Sequence, residues 1–228
     1  MDPARAVSAS RFLEVEPRRL PGWVARYTDA RGGSVRAVGT AAGLDLLGED
    51  GSRAHLALLD PPAGRPGGPV EDVATAAADL AALAAAPRTL LVCLVRRGGW
   101  TVGVVREGTV LSGSSGRRYV QGTTAAGGWS QQRYARRRSG QAGKLADDAS
   151  SAVDRVLGVA AGLGPGRAPD AVVVGGDKAL ADAVLGPTVA AGWPRLGPLE
   201  VGEPRRVDLE AAAARVLAVR VTVHDAPG

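Results

Sequence analysis

The spacing of apolar positions changes along the chain, and that change divides it. Near the start, Arg11 to Glu16 alternates polar and apolar residues, Gly22 to Arg31 carries a helical spacing, and short apolar runs follow near Val35 and from Leu56 to Leu59. These short segments predict a small α+β unit over residues 1–60. Residues 61–69 read Pro-Pro-Ala-Gly-Arg-Pro-Gly-Gly-Pro, in which prolines remove backbone donors and glycines remove side-chain contacts, so a linker is expected there.

From residue 70 the pattern lengthens, and a second domain is expected over 70–228. Val70 to Ala86 reads as an Ala-rich helix that Pro87 cannot continue. Thr89–Val95, Trp100–Val105 and Thr109–Ser112, separated by Gly-containing turns, predict three strands in a meander. Tyr134, Ala142, Leu145, Ala149, Val153, Val156 and Ala160 recur mostly at three and four spacing, which predicts a long amphipathic helix from about Ser130 to Gly162. Gly140 and Gly143 weaken its first half by roughly 1 kcal/mol each relative to Ala. A strand at Ala171–Val174, a helix at Asp177–Leu185 capped by Asp177, a helix at Asp208–Leu217 and a strand at Ala218–Val223 complete the order. Meandering strands followed by alternating helices and strands imply an α/β (α+β) domain with one mixed sheet covered by helices.

The chain has 228 residues and is 45% hydrophobic, enough for a core, and its single Phe leaves that core to Ala, Val and Leu. The lone Cys93 lies inside an apolar run, so a buried thiol in a reducing cytosol is expected. No signal peptide or membrane span is visible, and a cytoplasmic location follows as an expectation. His55 and His224 are far apart and expected in different domains, which argues against Ser-His-Asp, Cys-His and zinc chemistry. Asp147, Asp148, Asp154, Asp177 and Asp182 leave a metal-dependent nuclease open, although a solvated helix face explains Asp147 and Asp148 as well. Val172 to Lys178 leads a strand through two glycines into a helix, yet lacks full phosphate-loop spacing; a turn capped by Asp177 is expected.

Charge is more informative by position than in total. Between Gly116 and Ala146 there is no acidic residue, while Arg117, Arg118, Arg133, Arg136, Arg137, Arg138 and Lys144 give seven positive charges. That +7 exceeds the whole chain's +5 and leaves −2 for the remainder. Basicity confined to one place suits a phosphate-rich partner, with a solvated basic helix face as the alternative. Within this segment runs Gly122-Thr-Thr-Ala-Ala-Gly-Gly-Trp-Ser-Gln-Gln132, a loop entering the long helix with Ser130 as its expected N-cap.

Gly127-Gly128-Trp129-Ser130-Gln131-Gln132-Arg133-Tyr134-Ala135-Arg136-Arg137-Arg138 resembles the catalytic segment of eukaryotic and archaeal class-1 peptide-chain release factors. There Gly-Gly-Gln is followed by Ser and Arg-Phe-Ala-Arg-x-Arg. Arg133, Ala135, Arg136 and Arg138 match, whereas Trp129 stands where those factors have Gln. Gly128-Trp129-Ser130-Gln131 is similar instead to the Gly-x-x-Gln signature of the ribosome-quality-control peptidyl-tRNA hydrolases and their bacterial relatives. The resemblance implies a ribonuclease-H-like mixed sheet and a glycine loop that enters the peptidyl-transferase centre of the large ribosomal subunit. It implies Gln131, with Gln132 as the neighbouring choice, and Gly127 and Gly128 as catalytic-loop residues, and peptidyl-tRNA and rRNA as partners. No cofactor, metal, membrane or DNA is expected.

Peptidyl-tRNA is an activated ester, so its hydrolysis is served by positioning. A backbone N–H placed at the developing oxyanion and a glutamine amide that orients water provide much of that positioning, and a strong side-chain base is not obligatory. The arginines then neutralise rRNA and tRNA phosphates. A non-catalytic ribosome or RNA-binding module would use the same arginines and remains the competing reading.

Overall fold

The computed structural model describes residues 10–64, 67–117, 130–190 and 192–226, and at 130–139 and 187–190 the backbone alone. In chain order the elements are β1 (Ser10–Val15), a short 3-10 turn (Pro17–Arg19), α1 (Leu20–Asp29), β2 (Val35–Gly39), β3 (Gly43–Gly48), β4 (Arg53–Ala57), β5 (Gly68–Val70) and α2 (Val73–Ala84). There follow β6 (Thr89–Arg96), β7 (Gly99–Arg106), β8 (Thr109–Arg117), α3 (Ser130–Gly162), β9 (Ala171–Gly176), α4 (Lys178–Ala190), β10 (Arg195–Leu199), α5 (Arg206–Arg215) and β11 (Val219–His224). The chain is mixed α/β and forms two compact units, residues 1–86 with 215–228, and residues 87–214.

The first unit is a six-stranded antiparallel sheet in the order β1-β11-β4-β3-β2-β5. Leu20, Val24 and Tyr27 of α1 and Ala76, Ala77 and Leu80 of α2 share one core with Leu44, Leu46, Leu56, Val219, Val221 and Val223 of the sheet. These boundaries differ from the expected 1–60, 61–69 and 70–228. The Pro/Gly segment contributes β5, where Val38 faces Pro69, and an edge strand tolerates a proline that donates nothing. Asp72 accepts from the N–H groups of Ala74 and Thr75 at 3.1 Å each, so α2 starts at Val73 and turns its small apolar face to the first unit. The last strand, β11, inserts between β1 and β4. The expected single mixed sheet is therefore two sheets.

The second unit holds a five-stranded sheet in the order β10-β9-β6-β7-β8. The meander β6–β7–β8 is antiparallel, and β9 and β10 run parallel to β6 on its other side. Leu90 to Val95 of β6 are all buried, as a central strand covered on both faces requires. On one face Leu145, Ala149, Val153, Val156 and Ala160 of α3 and Val184 and Leu185 of α4 pack over Leu91, Cys93, Trp100, Val102 and Val104. On the other, Leu209 of α5 fills a notch made by the facing glycines Gly103 and Gly113. A Cβ at either would stand 2.5 or 2.6 Å from the Leu209 side chain.

Candidate nucleic-acid interface

The basic segment occupies the connection between β8 and α3. The strand delivers the chain to Arg117, twelve residues intervene, and the helix begins at Ser130. Gly127, Gly128 and Arg118 lie outside the described residues. Gln131, Gln132, Arg133, Arg136, Arg137 and Arg138 fall in the opening turns of α3, where the backbone alone is described. Ser130 is itself helical, so the helix starts at the expected cap position, one residue earlier than expected.

Burial along α3 divides it. Gly140, Gly143 and Lys144 are exposed, and the first buried side chain among its described residues is Leu145, after which the apolar stripe continues to Ala160. The fifteen steps from Ser130 to Leu145 rise about 22 Å along the axis at 1.5 Å each. Among the α3 residues whose side chains are described, packing begins at Leu145, and the arginines of the basic segment precede it in sequence.

The end of the sheet from which the loop leaves is also basic. Arg96, Gly99 and Arg117 face one another in register at the ends of β6, β7 and β8. Arg117 is 62% exposed, with its Nε 3.9 Å from Glu203, a distance at which an exposed pair contributes little. Arg97 stands 3.9 Å from Asp177 and is also well exposed. Arg96, Arg97, Gly176 and Asp177 line an open cleft of about 330 Å³. In sequence, Arg96-Arg97-Gly98-Gly99 reads as a hairpin turn and nothing more. The strand register that brings Arg96 beside the exit of β8 has no local signature.

The strand-to-helix turn at Gly175–Asp177 is a structural cap. The Asp177 carboxylate accepts from the N–H of Leu180 at 3.2 Å, and the Asp177 N–H donates to the Val95 carbonyl at 2.7 Å. Gly176 has φ +88°, and a Cβ there would meet the Val95 carbonyl oxygen at 2.2 Å. The other candidate carboxylates are dispersed. Asp147, Asp148 and Asp154 lie on the solvent side of α3, and Asp182 is held by Lys178 at 3.0 Å and by Arg195. Those two cations, Lys178 first, keep the Asp182 carboxyl below the usual carboxylate range. Among the described residues no three His, Cys, Asp or Glu side chains come together.

The two histidines share a sheet, against expectation. In the β4–β11 ladder Thr222 faces His55 and His224 faces Arg53, so both rings lie on one face of the first unit. The His55 Nδ1 is 2.5 Å from Asp45. Cys93, by contrast, is fully buried in the second unit, and burial pushes its thiol up to about 12 despite the opposing charge of Arg195.

A long basic helix entered through a glycine loop from the edge strand of a mixed sheet is an arrangement suited to RNA. Residues 88–222 match the family acVLRF1, described as the Actinobacteria/chloroflexi VLRF1 release factor. The match spans more than half of the chain, and the chain belongs to that release-factor family. No curated protein matches it. Membership in a release-factor family places the chain in translation and implies contact with the ribosome and tRNA. Among the described residues no helix is long and apolar enough to cross a membrane.

Proposed function

We propose that this protein hydrolyses the peptidyl-tRNA ester on stalled ribosomes and releases the nascent peptide, as a cytoplasmic ribosome-rescue factor of the quality-control type. The family match carries the reading, because its span includes both the five-stranded sheet and the Gly-x-x-Gln loop. The strand order, a meander with two parallel strands on its far side, agrees with a ribonuclease-H-like domain.

In this reading Gly127 and Gly128 let the main chain approach the ester where a Cβ would collide, and Gln131 orients the attacking water through its side-chain amide. A loop N–H meets the charge that develops on the carbonyl oxygen. Water adds to the ester carbonyl, the bond to the tRNA 3′-terminal ribose breaks, and the ribose oxygen leaves with a proton derived from that water. Arg117, Arg118, Arg133, Arg136, Arg137, Arg138 and Lys144, joined by Arg96 and Arg97 at the sheet end, bind phosphates of the large subunit and tRNA.

Stalled ribosome–nascent-chain complexes carrying a labelled peptide test this directly. Incubation with the protein should convert peptidyl-tRNA to free peptide on a gel. Salt-dependent ribosome binding without any release would decide instead for a non-catalytic RNA-binding module.

A further inference from the structure

An antiparallel sheet has two faces, and among the described residues α1 and α2 of the first unit pack on one of them. Valine, leucine and alanine of alternate positions point to α1 and α2. The opposite positions form an open face whose composition follows from the register. One row across the strands reads Ser10, His224, Arg53, Leu47 and Arg36. The next reads Phe12, Thr222, His55, Asp45, Val38 and Pro69, and a third reads Glu14, Arg220, Ala57 and Gly43.

The charges on this face are unbalanced in a specific way. The first unit as a whole is near neutral, with eleven arginines against twelve acidic residues. Among the described residues two of those acids, Glu14 and Asp45, stand on the open face, and both are engaged. Glu14 receives two hydrogen bonds from Arg215, at 2.8 and 3.0 Å, and Asp45 is held by His55. Arg36, Arg53 and Arg220 have no hydrogen-bond or ion-pair partner among the described residues, and Arg36 and Arg53 are exposed. At strand spacing, Arg36 and Arg53 are about 10 Å apart, and Arg220 lies about 14 Å from Arg53.

Beside these arginines stands an aromatic ring that folding does not use. Phe12, the chain's sole phenylalanine, is 62% exposed on the edge strand β1. It shares its row with the exposed imidazole of His55. Unpaired guanidinium groups around flat rings on a sheet face are what single-stranded RNA requires. The guanidinium groups take phosphates, and the rings take unstacked bases.

We infer that the open face of the six-stranded sheet is a second RNA-binding surface, which holds a single-stranded ribosomal RNA segment by Arg36, Arg53 and Arg220 with a base stacked on Phe12. The inference extends the reading of a ribosome-bound protein, but it concerns a surface on the other structural unit and makes no use of the glycine loop. A unit that grips RNA by itself gives the protein a hold on the ribosome independent of the α3 arginines.

The test uses the full-length protein and a fluorescein-labelled, mixed-sequence single-stranded RNA, read by anisotropy across a salt series. Substitutions are made in the R136A/R137A/R138A background, so that the basic helix does not mask the sheet. Adding R36Q/R53Q/R220Q should weaken binding about tenfold and reduce the log–log salt slope by about 2, at roughly 0.7 for each phosphate no longer neutralised. Adding F12S alone should weaken binding and leave the slope unchanged. Phe12, Arg36 and Arg53 are exposed and Arg220 is half-buried, and an unchanged thermal melt checks that the fold persists. Wild-type affinity and slope in both additions would overturn the inference. So would a three-arginine variant that keeps RNA binding and loses binding to phosphatidylserine vesicles, which would assign the face to a membrane. Peptide release is read separately: RNA binding lost from the sheet variant, with no release by the wild type, would leave this surface standing and remove the hydrolase reading.

Discussion

Trp100 on β7 lies across Gly116 on β8, so closely that a Cβ at position 116 would stand 2.6 Å from the indole Cζ2. The contact fixes the last turn-free stretch of β8 before the chain leaves toward the glycine loop, because Arg117 is the final residue of the strand. Gly116→Val should therefore force the indole or the strand to move, with a loss of about 1–3 kcal/mol, the usual range for overpacking. Thermal or urea unfolding measures it. Release activity should fall further than stability, since the same shift misplaces the loop's point of departure.

The two halves of α3 should respond in opposite directions to substitution. Leu145 is fully buried, and Leu145→Ala removes the first anchor of the helix at a cost of about 2–5 kcal/mol. At Gly140 a Cβ meets nothing within 4 Å, so Gly140→Ala should stabilise the helix by about 0.4–1 kcal/mol. Chemical denaturation of both variants checks the signs. Stabilisation by Leu145→Ala, or a loss at Gly140→Ala, would contradict the contrast between a packed Leu145 and an open Gly140.

Cys93 predicts an alkaline limit. Burial raises its native pKa from 9.0 to about 12, so the thiol's contribution to stability is complete below about pH 9. As pH rises from there toward 12 the unfolded chain loses this proton while the folded chain keeps it, and stability declines. The Cys93→Ala variant should lack that part of the alkaline slope. In the native protein the thiol should also resist a thiol reagent at pH 8 and react at once when denatured. Fast labelling of the folded protein would refute the burial that the sheet implies.

Where each element's pattern was local, the sequence was legible. The stripe from Leu145 to Ala160 marks α3, and the wholly apolar run at β6 marks a strand covered on both faces. The β10 segment, Arg-Leu-Gly-Pro-Leu, has no such pattern; it is a strand because β9 offers it a parallel partner. The assignment of β11 to one mixed sheet failed on a signal that was present. Val219, Val221 and Val223 alternate with Arg220, Thr222 and His224, the mark of a sheet solvated on one face, whereas Ala171 to Val173 of β9 are buried without a break. The end of β8 at Arg117 lies in register with Gly99 and Arg96, and that was not legible, because it depends on strand pairing across residues far apart in sequence.

The claim that Gln131 acts on the ester is tested most directly by single-turnover peptide release from stalled ribosome–nascent-chain complexes, comparing wild type, Gln131→Ala and Gln132→Ala. Adjacent residues of a helix point about 100° apart, so the two substitutions are expected to differ in effect. Gln131→Ala should lower the release rate at least 100-fold, on the order expected when a group acting only in the transition state is lost, with ribosome binding unchanged. Gln132→Ala should cost much less. Release at the wild-type rate by both variants would contradict the account.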